Sequence, residues 1–184
     1  MNKIQDLNKF ILPKNFRSRN AFVVQLWWIV QGTFFRMSPQ FLYGFRNFLL
    51  RLFGAKIGKK VIIRPTARIT YPWKVSIGDY SWIGDDVVLY SLGEIEIGKN
   101  VVISQKSYIC TASHDYLQSD FPIFAKKSTI EDECWLATDV FVSPGITIGE
   151  GSVIGSRSSV YKDIPSNKVC IGSPAKIIRE RIRE

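Results

Sequence analysis

The chain predicts an all-β solenoid, a parallel β-helix wound from hexapeptide repeats, on three observations. Aliphatic residues recur every six positions: Ile57, Ile63, Ile69; Ile77, Ile83, Leu89; Ile97, Ile103, Ile109; then Ile130, Leu136, Val142, Ile148, Ile154 and Val160. Four residues after each leader stands a small or aliphatic residue, Val61, Ala67, Ser81, Val87 and Ser113 among them, with Trp73 the exception. Glycine often follows the leader, as at Gly58, Gly78, Gly84, Gly98, Gly149 and Gly155. A period of six matches neither the 3.6 of a helix face nor the 2 of a flat strand. It fits a chain that makes a short strand, turns a corner and repeats, three hexads closing one triangular coil whose leaders stack inside. The fifteen hexads make about five coils.

Before the repeats, residues 1–20 are polar and basic and read as a loose arm. Residues 21–35 concentrate Phe22, Leu26, Trp27, Trp28, Ile29, Phe34 and Phe35. Ser38 followed by Pro39 is a helix start, a capping hydroxyl and a first-turn proline. The helix carries Phe41, Leu42, Phe45, Phe48, Leu49 and Leu52 on an apolar face with Arg46 and Arg51 beside it, and stops near Gly54. Residues 1–56 are thus expected to cap the open first coil, or to lie on a lipid surface through aromatics and cations. The coil spans 57–172. Its register slips by two between Ile69 and Ile77 and between Leu89 and Ile97, and breaks by twenty-one residues between Ile109 and Ile130. There a loop, 115–127, leaves the coil. Such a projection from a regular solenoid is a place to look for function. Residues 173–184 form a basic tail ending in a short helix.

At 184 residues the chain has room for one domain with an appendage. Three scattered cysteines, Cys110, Cys134 and Cys170, argue against a disulfide scaffold and for a reducing, cytoplasmic compartment. The net charge of +9 belongs to the N-terminal segment: residues 1–60 hold eleven Lys or Arg against the single acid Asp6. No nucleic-acid recognition motif accompanies that charge, so anionic lipid at the inner face of the membrane, or a phosphorylated carrier, is the better partner. No signal peptide is evident, and the run from Ala21 to Phe35 is too short and too interrupted to span a bilayer.

The only histidine, His114, falls on the corner where the loop departs. Histidine is a residue type that can take a proton from a hydroxyl. Asp115 follows it, and Asp85 and Asp86 occupy an earlier corner where they could face an acceptor. A zinc site needs three or four nitrogen or sulfur ligands, which one histidine and dispersed cysteines cannot supply.

The stretches CTASHDY (110–116), CWLATDVFVSPGITIGEGSVIGSRSSV (134–160), KDIP (162–165) and GSPAKIIRER (172–181) closely resemble the hexapeptide-repeat acyltransferases. SPQFLYGFRNFLLRLFGAKIG (38–58) and PWKVSIGD (72–79) narrow this to the colanic acid biosynthesis acetyltransferases, kin of the maltose, galactoside and nodulation-factor enzymes. The resemblance implies a left-handed coil, an exception to the right-handed crossover rule, and a homotrimer with active sites between subunits. It implies acetyl-CoA as co-substrate with no metal, and a saccharide as acceptor. His114 matches the catalytic histidine. Trp135, Ala137, Thr138 and Ser156 match the wall along the thioester and pantetheine arm, and Tyr161, Lys162, Lys176 and Arg179 match positions holding the nucleotide and its phosphates. Where kin carry an acceptor-binding asparagine this chain has Gly84, which leaves Asp85, Asp86, Tyr90 and Asp115 as acceptor contacts. The expected activity is direct O-acetyl transfer in a ternary complex, His114 acting as general base. Transfer to an amino sugar, or a non-catalytic scaffold, are the alternatives.

Overall fold

The computed structural model describes residues 3–182, which wind into a left-handed parallel β-helix closed at one end by helices and at the other by a returning strand. Each coil gives one short strand to each of three sheets. Face A stacks β1 (Lys56–Ile57), β4 (Val75–Ile77), β7 (Ile95–Ile97), β12 (Ser128–Ile130) and β15 (Thr147–Ile148). Face B stacks β2 (Ile62–Ile63), β5 (Trp82–Ile83), β8 (Val102–Ile103), β13 (Trp135–Leu136), β16 (Val153–Ile154) and β18 (Lys168–Ile171). Face C stacks β3 (Arg68–Ile69), β6 (Val88–Tyr90), β9 (Tyr108–Cys110), β14 (Phe141–Val142) and β17 (Ser159–Val160). Face B thus runs one rung further than the fifteen hexads indicate. A sixth, partial coil uses Ile164, bridged to Ile148, and Cys170 as leader, outside the strict six-residue spacing.

The parallel pairing puts each leader directly above the last. On face A, Ile57, Ile77, Ile97, Ile130 and Ile148 are in register, and faces B and C repeat the pattern. All fifteen leaders are buried, so they form one ladder core. Corners are tight. A Cβ on Gly78 would lie 2.6 Å from the carbonyl carbon of Gly98 on the next coil, which is why glycine follows the leader there. Residues at the corners between faces B and C take left-handed backbone, Asp86 at φ 55° and Asp139 at φ 62°, a conformation aspartate tolerates better than most. Ser113 does not take the inward place its spacing gives it. The chain has already left the coil at Thr111, so Ser113 is exposed while Thr111 is buried.

A stacked coil leaves backbone groups of its first rung without a rung beneath, and buried unpaired carbonyls are costly. Here side chains of two helices meet them. Helix α1 (Ala21–Val30) starts at Asn20, whose side chain accepts from the Val23 amide at 3.0 Å, and continues through a π-helical turn, Gln31–Phe35. Trp27 Nε1–H donates to the Ile69 carbonyl at 2.8 Å, and the Gln31 side chain accepts from the Ile69 amide at 2.6 Å. From α2 (Tyr43–Leu52), Asn47 donates to Val61, Arg51 to Ile57 and Gly58, and Arg46 to Ile63. Arg46 is therefore not a surface cation beside an apolar stripe. It is fully buried, holding also Ser38 Oγ and the Pro39 and Gln40 carbonyls.

That use of Ser38 explains why the helix does not start where Ser38–Pro39 predicts. The hydroxyl donates to Phe35 at 2.6 Å and accepts from Arg46, so residues 39–42 form a turn and α2 begins only at Tyr43. It ends as expected, at Gly54 with φ 93°. The predicted terminal helix is absent. Lys176–Glu180 is a strand, β19, antiparallel to β18, because the last rung's exposed edge takes a strand's hydrogen bonds better than a helix's side chains.

Nor is the arm loose. A 3-10 turn, Leu7–Lys9, precedes a strap in which Arg17 accepts from Trp73 Nε1 at 2.8 Å and Phe16 accepts from Lys74 Nζ at 2.7 Å. Among the described residues no helix is long and apolar enough to cross a membrane.

Candidate active site

The projecting segment is a β-hairpin, not an irregular loop. β10 (Ala112–His114) pairs antiparallel with β11 (Ile123–Ala125), His114 opposite Ile123, so the histidine is the last paired residue before the tip. It stands at the corner between faces C and A, on the connection from the third coil to the fourth. The hairpin returns a backbone group to it: His114 Nδ1 is 2.9 Å from the Phe121 carbonyl. A carbonyl only accepts, so Nδ1 carries the proton and the neutral ring leaves Nε2 unprotonated. The Phe121 ring stacks on the imidazole at 4.3 Å between centroids and 10° between planes. Phe10, from the strap, contacts the ring at 5.9 Å, and the Asp6 amide donates to the Ser119 carbonyl, tying strap to hairpin. Phe121 sits at φ 50°, an unfavourable conformation for a bulky residue, held by the turn that aims its carbonyl. The Phe121–Pro122 pair within the loop is the sequence signal that could have marked it; nothing in the spacing marks Phe10.

Asp115 is occupied by the hairpin itself. Its carboxylate accepts from the Leu117 amide at 3.0 Å and Gln118 Nε2 at 2.7 Å, and these bonds hold it below the usual carboxylate range. Asp85 and Asp86 lie at a different corner, between faces B and C. Asp85 pairs with Arg64 at 2.8 Å and accepts from Thr66 Oγ1 at 3.0 Å, while the Asp86 side chain is exposed. Gly84 beside them is fixed by packing, since a Cβ there would meet the Gln105 amide nitrogen at 2.7 Å. Tyr90 is tied to the entry of the hairpin, its carbonyl accepting from the Thr111 amide at 3.3 Å. It packs against the cluster of Val24, Tyr71, Leu92 and Ala112 and starts an aromatic column on face C, Tyr90–Tyr108–Phe141–Tyr161, with centroids 5.9, 6.1 and 5.9 Å apart. Burial pushes the Tyr108 phenol up to about 12 and raises Tyr90 as well.

The remaining predicted residues divide. Trp135 lies outward on face B, half exposed, its Nε1–H donating to Ser104 Oγ at 3.1 Å. Ala137, Thr138 and Ser156 form the adjoining corner between faces B and C; Ala137 is buried, Ser156 exposed. Lys176 and Arg179 are on β19, in the same seven-stranded sheet as Trp135, three strand spacings away, or roughly 14 Å. Tyr161 and Lys162 do not join them. They sit at the end of face C, on the histidine's own corner two coils above it. One prism therefore carries His114 and the Trp135–Arg179 strip on different corners.

No family model matches the chain. Single relatives do. Over 179 residues the chain is 63% identical to the protein assigned by name as colanic acid biosynthesis acetyltransferase WcaF of Escherichia coli (strain K12), covering 97% of this chain and 98% of that one. The galactoside O-acetyltransferase of the same organism is 30% identical over 73% of this chain and 68% of its own. Among solved structures, a maltose O-acetyltransferase from Clostridium difficile 630 superposes with a TM-score of 0.81 at 26% identity, over 92% of this chain and 96% of that one. The hexapeptide-repeat acetyltransferase VCA0836 of Vibrio cholerae O1 biovar eltor, complexed with acetyl coenzyme A, superposes with a TM-score of 0.78 at 25% identity over 88% of each chain. With a coil of this geometry and near-full-length identity to such a relative, the chain belongs to the hexapeptide-repeat acetyltransferases, acyl-transferring enzymes, in the group of the colanic acid biosynthesis acetyltransferases.

Proposed function

We propose that the chain transfers acetyl from acetyl-CoA to a hydroxyl of a sugar or exopolysaccharide precursor, with His114 as general base in a direct ternary-complex reaction. The observation that carries this is the Nδ1–carbonyl bond to Phe121, which reserves Nε2 as the proton acceptor. As the sugar oxygen attacks the thioester carbonyl, its proton passes to Nε2. The tetrahedral oxyanion, met by a backbone N–H, then collapses and expels the CoA sulfur, which takes the proton back from the imidazolium. No acyl-enzyme is required. The carbonyl and the two phenylalanine rings hold the imidazole so that little reorganisation remains at the moment of transfer.

The coenzyme suits the face-B strip. Trp135, Ala137, Thr138 and Ser156 offer an extended wall for the pantetheine arm, and Lys176 and Arg179 stand about 14 Å along the sheet from Trp135 as cations for phosphates. Because that strip and His114 are on different corners, a complete site needs the strip of a second copy beside the histidine of the first. A closed ring of three prisms supplies three such seams, and Tyr161 and Lys162 then face the coenzyme from the histidine's side. A coenzyme drawn from the cell interior sets the enzyme in the cytoplasm.

The test is direct. His114→Ala is expected to lower kcat ~100- to 10,000-fold with acetyl-CoA affinity unchanged by calorimetry; wild-type turnover in that variant would overturn the assignment. In a screen of glycans and nucleotide sugars the product is expected to be an alkali-labile ester. An alkali-stable amide would mean transfer to an amine.

A further inference from the structure

We propose that α1 and α2 form a platform that docks the enzyme on an anionic phospholipid bilayer. Both helices turn a buried side to the coil: Trp27 of α1 and Arg46, Asn47, Leu49 and Leu50 of α2 face the first coil, while Val24 of α1 packs with Tyr71, Leu92 and Ala112. Trp27 packs on Phe53 at 5.1 Å, so the two helices make one layer. Their opposite faces are apolar too. Phe41, Phe45, Phe48 and Leu52 recur at i, i+4, i+7 and i+11 along α2 and its lead-in, and Phe22 and Ile29 do the same on α1. Phe22 is 74% exposed, Phe41 75% and Leu52 66%. A helix apolar on both sides belongs between two apolar surroundings, and the coil supplies only one.

Charge decides what the other is. Of the eleven cations in residues 1–60 only Arg46 is buried, and the single acid, Asp6, is paired with Lys3. Arg36, just past α1, and Lys56, Lys59 and Lys60 of the first coil are exposed, the Lys60 ammonium over the Tyr80 ring, and no salt bridge forms on any of them among the described residues. A second copy placed on this face would oppose cation to cation. Acidic headgroups around an apolar interior match both features. The bound coil would stand away from the lipid: His114 lies two rungs above the first coil, and rungs of ~4.8 Å plus a helix layer of ~10 Å put it roughly 20 Å from the lipid plane.

Co-sedimentation of the purified full-length protein with vesicles tests this. Binding is expected to vesicles of phosphatidylcholine with about 30% phosphatidylglycerol, and to weaken strongly with phosphatidylcholine alone or at ~0.5 M salt. Phe41→Ser/Phe45→Ser/Phe48→Ser is expected to lower the partition coefficient on the order of 100-fold. Arg36→Glu/Lys59→Glu, which leaves the apolar face intact, should lower it at least ~10-fold. Circular dichroism establishes that each variant keeps the coil, and turnover on a soluble acceptor separates lipid binding from the transferase reading. Three results would overturn the proposal: wild-type protein left in the supernatant with every vesicle, equal and salt-insensitive binding to neutral and anionic vesicles, or a vesicle-free self-association in the ultracentrifuge that the triple variant abolishes.

Discussion

Arg46 and His114 are polar residues to which the chain assigns opposite tasks. Arg46 is surrounded by carbonyls and one hydroxyl, with no carboxylate bonded to it, and burial pushes its pKa down from the ordinary value. Its planar fork spreads five N–H donors over three nitrogens and so reaches four acceptors around it, a span that the single nitrogen of a lysine does not cover. Arg46→Met is expected to leave the Ile63, Pro39 and Gln40 carbonyls without that donor and to cost about 3–5 kcal/mol. In a domain of this size that is a fall in Tm of roughly 6–20 °C by calorimetry; an unchanged Tm would show that the caps are dispensable. Arg46→Lys should fall between. At His114, by contrast, one bond fixes a tautomer and two rings fix a plane. The histidine and its corner were legible from the hexad count. Its partners Phe121 and Phe10 were not, because a backbone carbonyl carries no side-chain signature and Phe10 lies 104 positions away in the chain.

Elements at the two ends of the coil answer one physical problem by different means. The first rung is met by side chains of α1 and α2, the last by the backbone of β19. Sequence reasoning identified a cap at the first end only, and read the other as a basic tail ending in a short helix. A short, basic, Ile-rich tail satisfies helical and strand patterns alike, and only the open edge of β18 selects the strand. Deleting residues 173–184 is therefore expected to uncover that edge. Light scattering should show concentration-dependent aggregation while circular dichroism keeps the β-signal of the remaining coils. A monodisperse, equally soluble truncation would mean that β19 does not guard the edge. The Ser38–Pro39 misreading has the same origin: a capping hydroxyl was recruited by Arg46, eight residues on, and lost to the helix.

At the scale of the whole molecule, the function proposed above divides the chemistry among the corners of the prism and needs assembly to close the site. If so, two inactive variants should complement. His114→Ala keeps an intact face-B strip, and Lys176→Glu/Arg179→Glu keeps an intact histidine. Neither is expected to retain more than a few per cent of activity alone. Refolded together, mixed rings would contain some seams built from one good half of each, and acetyl transfer should recover several-fold above either parent. No recovery from mixtures shown by native mass spectrometry to contain both chains would place the whole site within one prism.

The six-residue period by itself determined the coil, the inward ladder and the place of the hairpin, because each depends only on which residues must be buried and how often. The tertiary structure decided what fills the ends, how many rungs there are and which groups hold the imidazole. Those outcomes turn on hydrogen bonds between residues distant in the chain. Unpaired edge groups choose their partners by reach and geometry, and neither is written in a local pattern.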